Sequence, residues 1–177
     1  MPWYDKDVDV LIPEAKLQAR IRELGAQLSR DYAGKELTIL SVLKGSIFFA
    51  TDLARATDLP LTMEVLGVSS YQGGTETTGE VRITSDVTKP MAGKDILVVE
   101  DIIDTGLTMK FLLENLRARH PASVKVCALL EKPARARAKI DIDYRGFVVD
   151  DVFVVGYGLD YAEKYRNLPF IGVMRGR

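Results

Sequence analysis

Apolar positions along this chain follow two alternating periods. Leu17, Ile21, Leu24 and Leu28 form the single stripe of an amphipathic helix over about residues 13–31. Pro13 suits the first turn, where its missing N–H would have no partner, and Gly34 lies just past the end. The next apolar run, 37–43, is short and continuous, which predicts a strand buried on both faces. Gly45 turns the chain, and Ser46 is placed to cap a helix carrying Ile47, Phe48, Phe49 and Leu53. Further strands are predicted at 61–69, 81–85, 95–100 and 123–130, with a helix carrying Leu112, Leu113 and Leu116 before the last of these. Short strands close the chain near 153–155 and 170–173. Continuous apolar strands separated by helices predict an α/β fold with a mostly parallel sheet covered on both faces. No repeat, low-complexity tract or linker interrupts the pattern, so one domain is expected, with a small subdomain built from the two chain ends.

Composition narrows the function more than the fold. The 177 residues are 47% apolar and 28% charged, and the net charge is −1, which gives no support to a basic nucleic-acid surface. One cysteine, Cys127, cannot form an internal disulfide and suits a reducing cytoplasm. Apolar runs are strand-sized, and the first residues show no basic region leading into an apolar one, so neither a membrane span nor a signal peptide is expected.

The chemistry concentrates in Val98-Val99-Glu100-Asp101-Ile102-Ile103-Asp104-Thr105-Gly106-Leu107-Thr108. It follows a buried strand and opens a helix, the place where α/β sheets bind ligands. Small and hydroxyl residues at a helix start, with free backbone N–H groups, favour a phosphate. Three carboxylates would repel a bare polyphosphate. They make sense if Glu100 and Asp101 meet hydroxyls or a hard cation such as Mg²⁺, and a ribose 5-phosphate meets both demands. Acids after a strand also serve as helix caps, and a lone Asp-Thr-Gly would say little; the full pattern says more. Neither G-x-x-x-x-G-K-[ST] nor G-x-G-x-x-G is present.

This segment resembles the phosphoribosyl pyrophosphate motif of type I phosphoribosyltransferases, and 100–106 most resembles the version in hypoxanthine-guanine phosphoribosyltransferases. Leu43-Lys44-Gly45-Ser46, Ser69-Ser70-Tyr71, Leu130-Glu131-Lys132 and Val154-Val155-Gly156-Tyr157-Gly158-Leu159-Asp160-Tyr161 are similar to that family in the same order. The likeness runs from about residue 8 to 174, so residues 1–177 are expected to form a single phosphoribosyltransferase domain. It implies the type I fold: a mostly parallel sheet, helices on both faces, and a hood from the chain ends. It also implies purine salvage, in which a 6-oxopurine base and phosphoribosyl pyrophosphate give IMP or GMP plus pyrophosphate, with Mg²⁺ as cofactor.

The resemblance assigns residues as well. Asp104 is the expected general base, although it could also cap the following helix. Glu100 and Asp101 are expected on the ribose hydroxyls and the magnesium, and Thr105, Gly106, Leu107, Thr108 and Met109 around the 5-phosphate. Lys44 and Gly45 resemble the pyrophosphate loop, in which that family often carries a non-proline cis peptide; alone, Lys-Gly at a strand end equally marks a plain turn. Lys132 is expected on the purine 6-oxo group, Phe153 stacked on the base, and Val154 offering main-chain groups to its edge. Asp160 is expected on a second magnesium or the guanine amine, and Arg166 on pyrophosphate, though an arginine there also fits a helix surface. Ser70 and Tyr71 belong to a polar stretch, 69–80, that fits a lid over the site; Gly73, Gly74 and Gly79 equally fit a hairpin tip.

Other features carry no chemistry. His120 reads as a surface or cap residue, Cys127 as core, and Arg135, Arg137 and Lys139 as a solvated face or subunit contact. Adenine phosphoribosyltransferase, a nucleic-acid-binding regulator on the same fold, and a non-catalytic binder are the competing classes. The Lys132 region and Val155-Gly156-Tyr157-Gly158-Leu159-Asp160 speak against the first, near-neutral charge and the intact catalytic-type residues against the second, and retention of Glu100, Asp101, Asp104 and Lys132 against the third. The family also implies a homodimer or homotetramer, with no nucleic-acid or membrane partner.

Overall fold

A computed structural model describes residues 3, 4, 7–70 and 81–176, and only the backbone of Ser70. Nine strands and three helices follow one another in this span. They are β1 (Val8–Ile12), α1 (Glu14–Asp31), β2 (Leu37–Leu43), α2 (Ile47–Ala56), β3 (Leu61–Ser70), β4 (Val81–Ser85), β5 (Asp95–Ile103), α3 (Leu107–Arg117), β6 (Ser123–Glu131), β7 (Tyr144–Val148), β8 (Val154–Val155) and β9 (Ile171–Met174).

Six strands form a sheet in the order β4-β3-β2-β5-β6-β7, parallel throughout except for β4, which pairs antiparallel with the last residues of β3. The middle of β5, Ile96-Leu97-Val98-Val99, has no exposed surface, as a strand covered on both faces requires. Its alternate side chains serve two cores. Leu97 and Val99 meet the apolar stripe of α1 and the inner face of α2, whereas Ile96 and Val98 meet Met109, Leu112 and Leu116 of α3. The mostly parallel α/β sheet with helices on both faces is thereby borne out. Among the described residues no helix is long and apolar enough to cross a membrane.

The second sheet, β1-β9-β8, is antiparallel and joins the two ends of the chain, as the predicted hood does. Its Ile12, Val154 and Ile171 belong to the same buried cluster as α1 and α2, so the hood packs on that side of the main sheet.

Three local expectations change. Ser46 precedes α2 but does not cap it: its hydroxyl lies 2.7 Å from the Val42 carbonyl and 2.8 Å from the Ser41 hydroxyl, and a buried hydroxyl takes the nearest acceptor. Strand β5 continues three residues past Glu100, so Asp101, Ile102 and Ile103 belong to the strand and not to a loop. β1 and β7 are additions to the pattern, the first alternating too weakly to be seen in sequence.

Candidate active site

Four segments converge at the carboxyl edge of the sheet. The first is the end of β5 and the turn into α3. Gly106 precedes α3 with φ +78, a left-handed conformation that a side chain resists, and a Cβ there would lie 2.7 Å from the Ala138 carbonyl. Leu107, Thr108 and Met109 contribute the first backbone N–H groups of the helix, which have no intrahelical partner. A cavity of about 90 Å³ is lined by Glu100, Ile102, Ile103, Asp104, Thr105, Gly106, Thr108 and Met109. The Met109 side chain is core, so its share in holding an anion is confined to its backbone.

The second segment is Lys44-Gly45 at the end of β2, where the Leu43–Lys44 peptide bond is cis. Gly45 has to be glycine: a Cβ there would overlap the Asp101 carboxylate and approach the Gly158 carbonyl. A Cβ on Gly158, itself at φ +102, would overlap the Gly45 carbonyl in turn. Two backbones therefore meet without side chains between them, and that contact sets Lys44 beside the third segment.

This third segment, 156–166, is irregular. Tyr157, Ala162, Glu163 and Tyr165 all take positive φ although none is glycine. Such residues cost of order 1–3 kcal/mol each and persist where neighbours over-determine them. The Tyr157 hydroxyl donates to Asp52 on α2 at 2.5 Å, and Gln18 of α1 donates to the same oxygen at 3.0 Å. Arg166 donates to the Gly158 carbonyl at 2.6 Å and pairs with Asp160 at 2.7 Å, while the other Asp160 oxygen accepts the Glu163 N–H. Lys44 reaches Glu163 at 2.9 Å, and its ammonium holds that carboxyl below the usual carboxylate range.

The fourth segment follows β6. Lys132, 6% exposed, anchors its N–H on the Ile103 carbonyl, and its ammonium lies 4.0 Å from Asp151. Lys132 and Asp104 line one cleft of about 330 Å³, and Asp104 also lines the small cavity at α3. Asp104 thus stands on the wall between the two.

The electrostatics set Glu100 and Asp101 apart. Burial pushes the carboxyls of both upward, and the charge of Asp101 pushes Glu100 further. Asp101 is eased back by its hydrogen bonds with Glu100 and the Ile102 N–H, and by Arg166. A half-buried and a buried carboxyl group within hydrogen-bonding reach of one another are suited to a cation or to hydroxyl donors. Hard oxygen donors of this kind fit Mg²⁺, which is commonly held by one or two carboxylates together with substrate oxygens. Among the described residues no cluster of three or more acidic, histidine or cysteine side chains is gathered for a metal.

The structure brings together Lys44, Gly45, Asp101, Asp160 and Arg166 on one side, and Glu100, Asp104, Thr105, Gly106, Thr108 and Lys132 on the other. Phe153 is 40% exposed, its ring edge-on to Tyr161 with centroids 5.8 Å apart, and Val154 is buried; neither lines either cavity. Of the lid expected over 69–80, the Ser70 side chain and residues 71–80, Tyr71 included, lie outside the described residues.

Four residues at the site carry no motif signal. Arg135, expected on a solvated face, has its Nε 3.0 Å from the Asp104 carboxylate and an amino group 3.7 Å from Asp151. The N–H groups of Arg137 and Ala138 both donate to the Thr105 carbonyl, so this stretch buttresses the turn into α3. Glu163 is the fourth, and its place three residues beyond Asp160 in a tyrosine-rich turn offered no chemical hint.

A small cavity at a helix start, two adjoining carboxylates and two flanking cations lie together at the carboxyl edge of a parallel sheet, the arrangement expected of a phosphoribosyltransferase. The sequence matches the phosphoribosyl transferase domain over residues 12–162, and the chain belongs to that family. Its likeness to hypoxanthine-guanine phosphoribosyltransferases holds over nearly its whole length. It is 46% identical to the hypoxanthine-guanine phosphoribosyltransferase of Mycobacterium avium, covering 98% of this chain and 89% of that one. A crystal structure of a hypoxanthine phosphoribosyltransferase from Staphylococcus aureus superposes with a TM-score of 0.90 at 47% identity, covering 94% of this chain and 91% of that one. The chain is also 49% identical to the bifunctional protein TilS/HprT of Listeria monocytogenes over 94% of its own length, but spans only 26% of that protein.

Proposed function

We propose that this chain transfers the 5-phosphoribosyl group from phosphoribosyl pyrophosphate to hypoxanthine or guanine, giving IMP or GMP and pyrophosphate. The observation that carries the reading is the position of Asp104, shared between the anion cavity at α3 and the cleft that holds Lys132. A sugar phosphate in the first and a purine in the second would put the glycosidic bond beside one carboxylate.

The α3 amides with Thr105 and Thr108 bind the 5-phosphate, where the helix dipole favours negative charge. Glu100 and Asp101 hold the ribose hydroxyls. They would also hold Mg²⁺, with Asp160 as the candidate for a second ion, and the metal supplies charge neutralisation for pyrophosphate. Lys44 and Arg166 bind the pyrophosphate oxygens. Lys132 donates to the 6-oxo group; adenine offers an amine there and leaves the lysine unpaired, which selects against it. Phe153 stacks on the base, with Val154 at its edge. Asp104 takes the purine proton and stabilises positive charge on the base as the new bond forms. Ser70 and Tyr71 close over the site and exclude water from a ribosyl cation.

The hood and the main sheet share one buried cluster, which supports residues 1–177 acting as one domain. Met63 and Val65, exposed on one face of β3, and Ile47 and Phe48, exposed at the start of α2, support a homodimer or homotetramer. The unpaired, buried Cys127 fits a cytoplasmic location. The deciding experiment is a spectrophotometric assay with hypoxanthine, guanine, xanthine and adenine, each with phosphoribosyl pyrophosphate and Mg²⁺. Turnover of hypoxanthine or guanine is expected; turnover of adenine alone would overturn the substrate assignment.

A further inference from the structure

We infer that Glu163 is a positioning residue that occupies the pyrophosphate cations in the ligand-free protein and competes with pyrophosphate for them. The inference rests on Lys44 and Arg166 being the pyrophosphate ligands.

One Glu163 oxygen lies 2.9 Å from the Lys44 ammonium and the other 3.6 Å from the Arg166 guanidinium. A single carboxylate thus spans the two side chains assigned to one polyphosphate. The backbone aims it there. Glu163 sits at φ +64 directly after Ala162 at φ +50, and its N–H is fixed on Asp160 at 2.9 Å. Two consecutive left-handed residues are a costly way to present a glutamate to water, and strain of this kind gathers at functional sites.

The strength of the contact suits a competitor. Lys44 and Glu163 are each 68% exposed, and exposed ion pairs are individually weak. Pyrophosphate carries several negative charges and makes charge-assisted bonds to both cations, so it displaces the carboxylate. When pyrophosphate departs, Glu163 returns to the same cations, which shortens its residence. Arg166 keeps Asp160 and the Gly158 carbonyl as partners throughout, so Lys44 is the residue that changes partner most completely.

The test is calorimetric titration of pyrophosphate with Mg²⁺ into the intact protein and its Glu163→Gln, Glu163→Asn and Lys44→Ala variants. Asparagine tolerates positive φ and is too short to bridge, so it guards against a folding artefact in the glutamine variant. Both Glu163 variants are expected to bind pyrophosphate about two- to fivefold more tightly, the size of one exposed ion pair. In steady state the KM for phosphoribosyl pyrophosphate should fall with the KM for the base unmoved, a split that a merely structural role would not produce. Unchanged or weaker pyrophosphate binding in both Glu163 variants, with Lys44→Ala weakened, overturns the role of Glu163 and leaves the site intact. If Lys44→Ala binds pyrophosphate as well as the parent, the pyrophosphate site itself is misplaced and the inference falls with it.

Discussion

The turn into α3 and the turn at 156–166 flank one site, yet they are built by opposite means. The first is regular. One residue, Gly106, takes positive φ, and the free polar groups are backbone amides that any sequence would supply at a helix start. The second is irregular, with four non-glycine residues at positive φ, and its binding groups are long charged side chains held by one another. Backbone amides cannot change partner, whereas exposed ion pairs can. Under the proposed function this becomes a division of labour: the α3 turn would fix the sugar phosphate, while the 156–166 turn would admit and release what leaves.

The largest effects should separate the two regions by kinetic parameter. Asp104→Asn keeps size and removes the base, so turnover should fall by ~10²–10⁴-fold with modest change in KM. Arg166→Ala on the other flank should raise the KM for phosphoribosyl pyrophosphate by roughly 10- to 100-fold, the worth of a charge-assisted bond. Steady-state kinetics on both variants decides the matter. Equal losses in kcat from both would merge the two regions into one catalytic unit, and an unchanged rate in Asp104→Asn would remove it as the base.

This contrast also explains what is legible in sequence. Glu100, Asp101, Asp104 and Thr105 through Thr108 are readable because a strand end, a helix start and three acids leave few chemical interpretations. The parallel sheet is readable from continuous apolar runs, and the hood from short apolar segments at the two ends. Arg135, Asp151 and Glu163 are not readable, since a charged side chain facing the site and one facing solvent look alike in sequence. Ser46 misleads for a related reason: a hydroxyl before a helix signals a cap unless nearer acceptors exist, and those depend on tertiary packing. Gly45 and Gly158 are visible as glycines, but that each excludes a side chain from the other is a fact of the assembled loops.

A smaller effect tests how the irregular turn is held. Tyr157 is buried and joins the turn to α1 and α2 through Asp52 and Gln18. Burial, with the Asp52 carboxylate beside it, pushes the Tyr157 hydroxyl well above the usual tyrosine range, so it remains a neutral donor. Tyr157→Phe leaves the half-buried Asp52 carboxylate with Gln18 as its remaining donor of the two and should cost about 1–3 kcal/mol of unfolding free energy, the range for a hydrogen bond to a charged group. Urea denaturation measures this, and the KM for phosphoribosyl pyrophosphate should rise as the anchor of Arg166 loosens. A stability loss with no kinetic change would show that the ion pairs alone hold the turn.

The smallest effect belongs to the paired acids, which both regions share. In metal-free protein the folded state holds the Glu100 and Asp101 carboxyls above their unfolded values. The folded state therefore binds more protons than the unfolded one as pH rises through the ordinary carboxylate range, so this pair costs stability there. The cost is absent at acid pH and complete once pH exceeds the raised values. Glu100→Gln removes one charge, so in EDTA at neutral pH it should melt a few degrees higher than the parent, with the gain vanishing near pH 4. Added Mg²⁺ should raise the melting temperature of the parent more than that of the variant, because a ligand stabilises only the state that binds it. Thermal melts with and without EDTA read both. A variant less stable than the parent at neutral pH would mean that the pair is already neutralised in the folded protein, with Arg166 the nearest cation to credit. The 156–166 turn would then govern the acids as well as the pyrophosphate, and the division between the two flanks would fail at the residues they have in common.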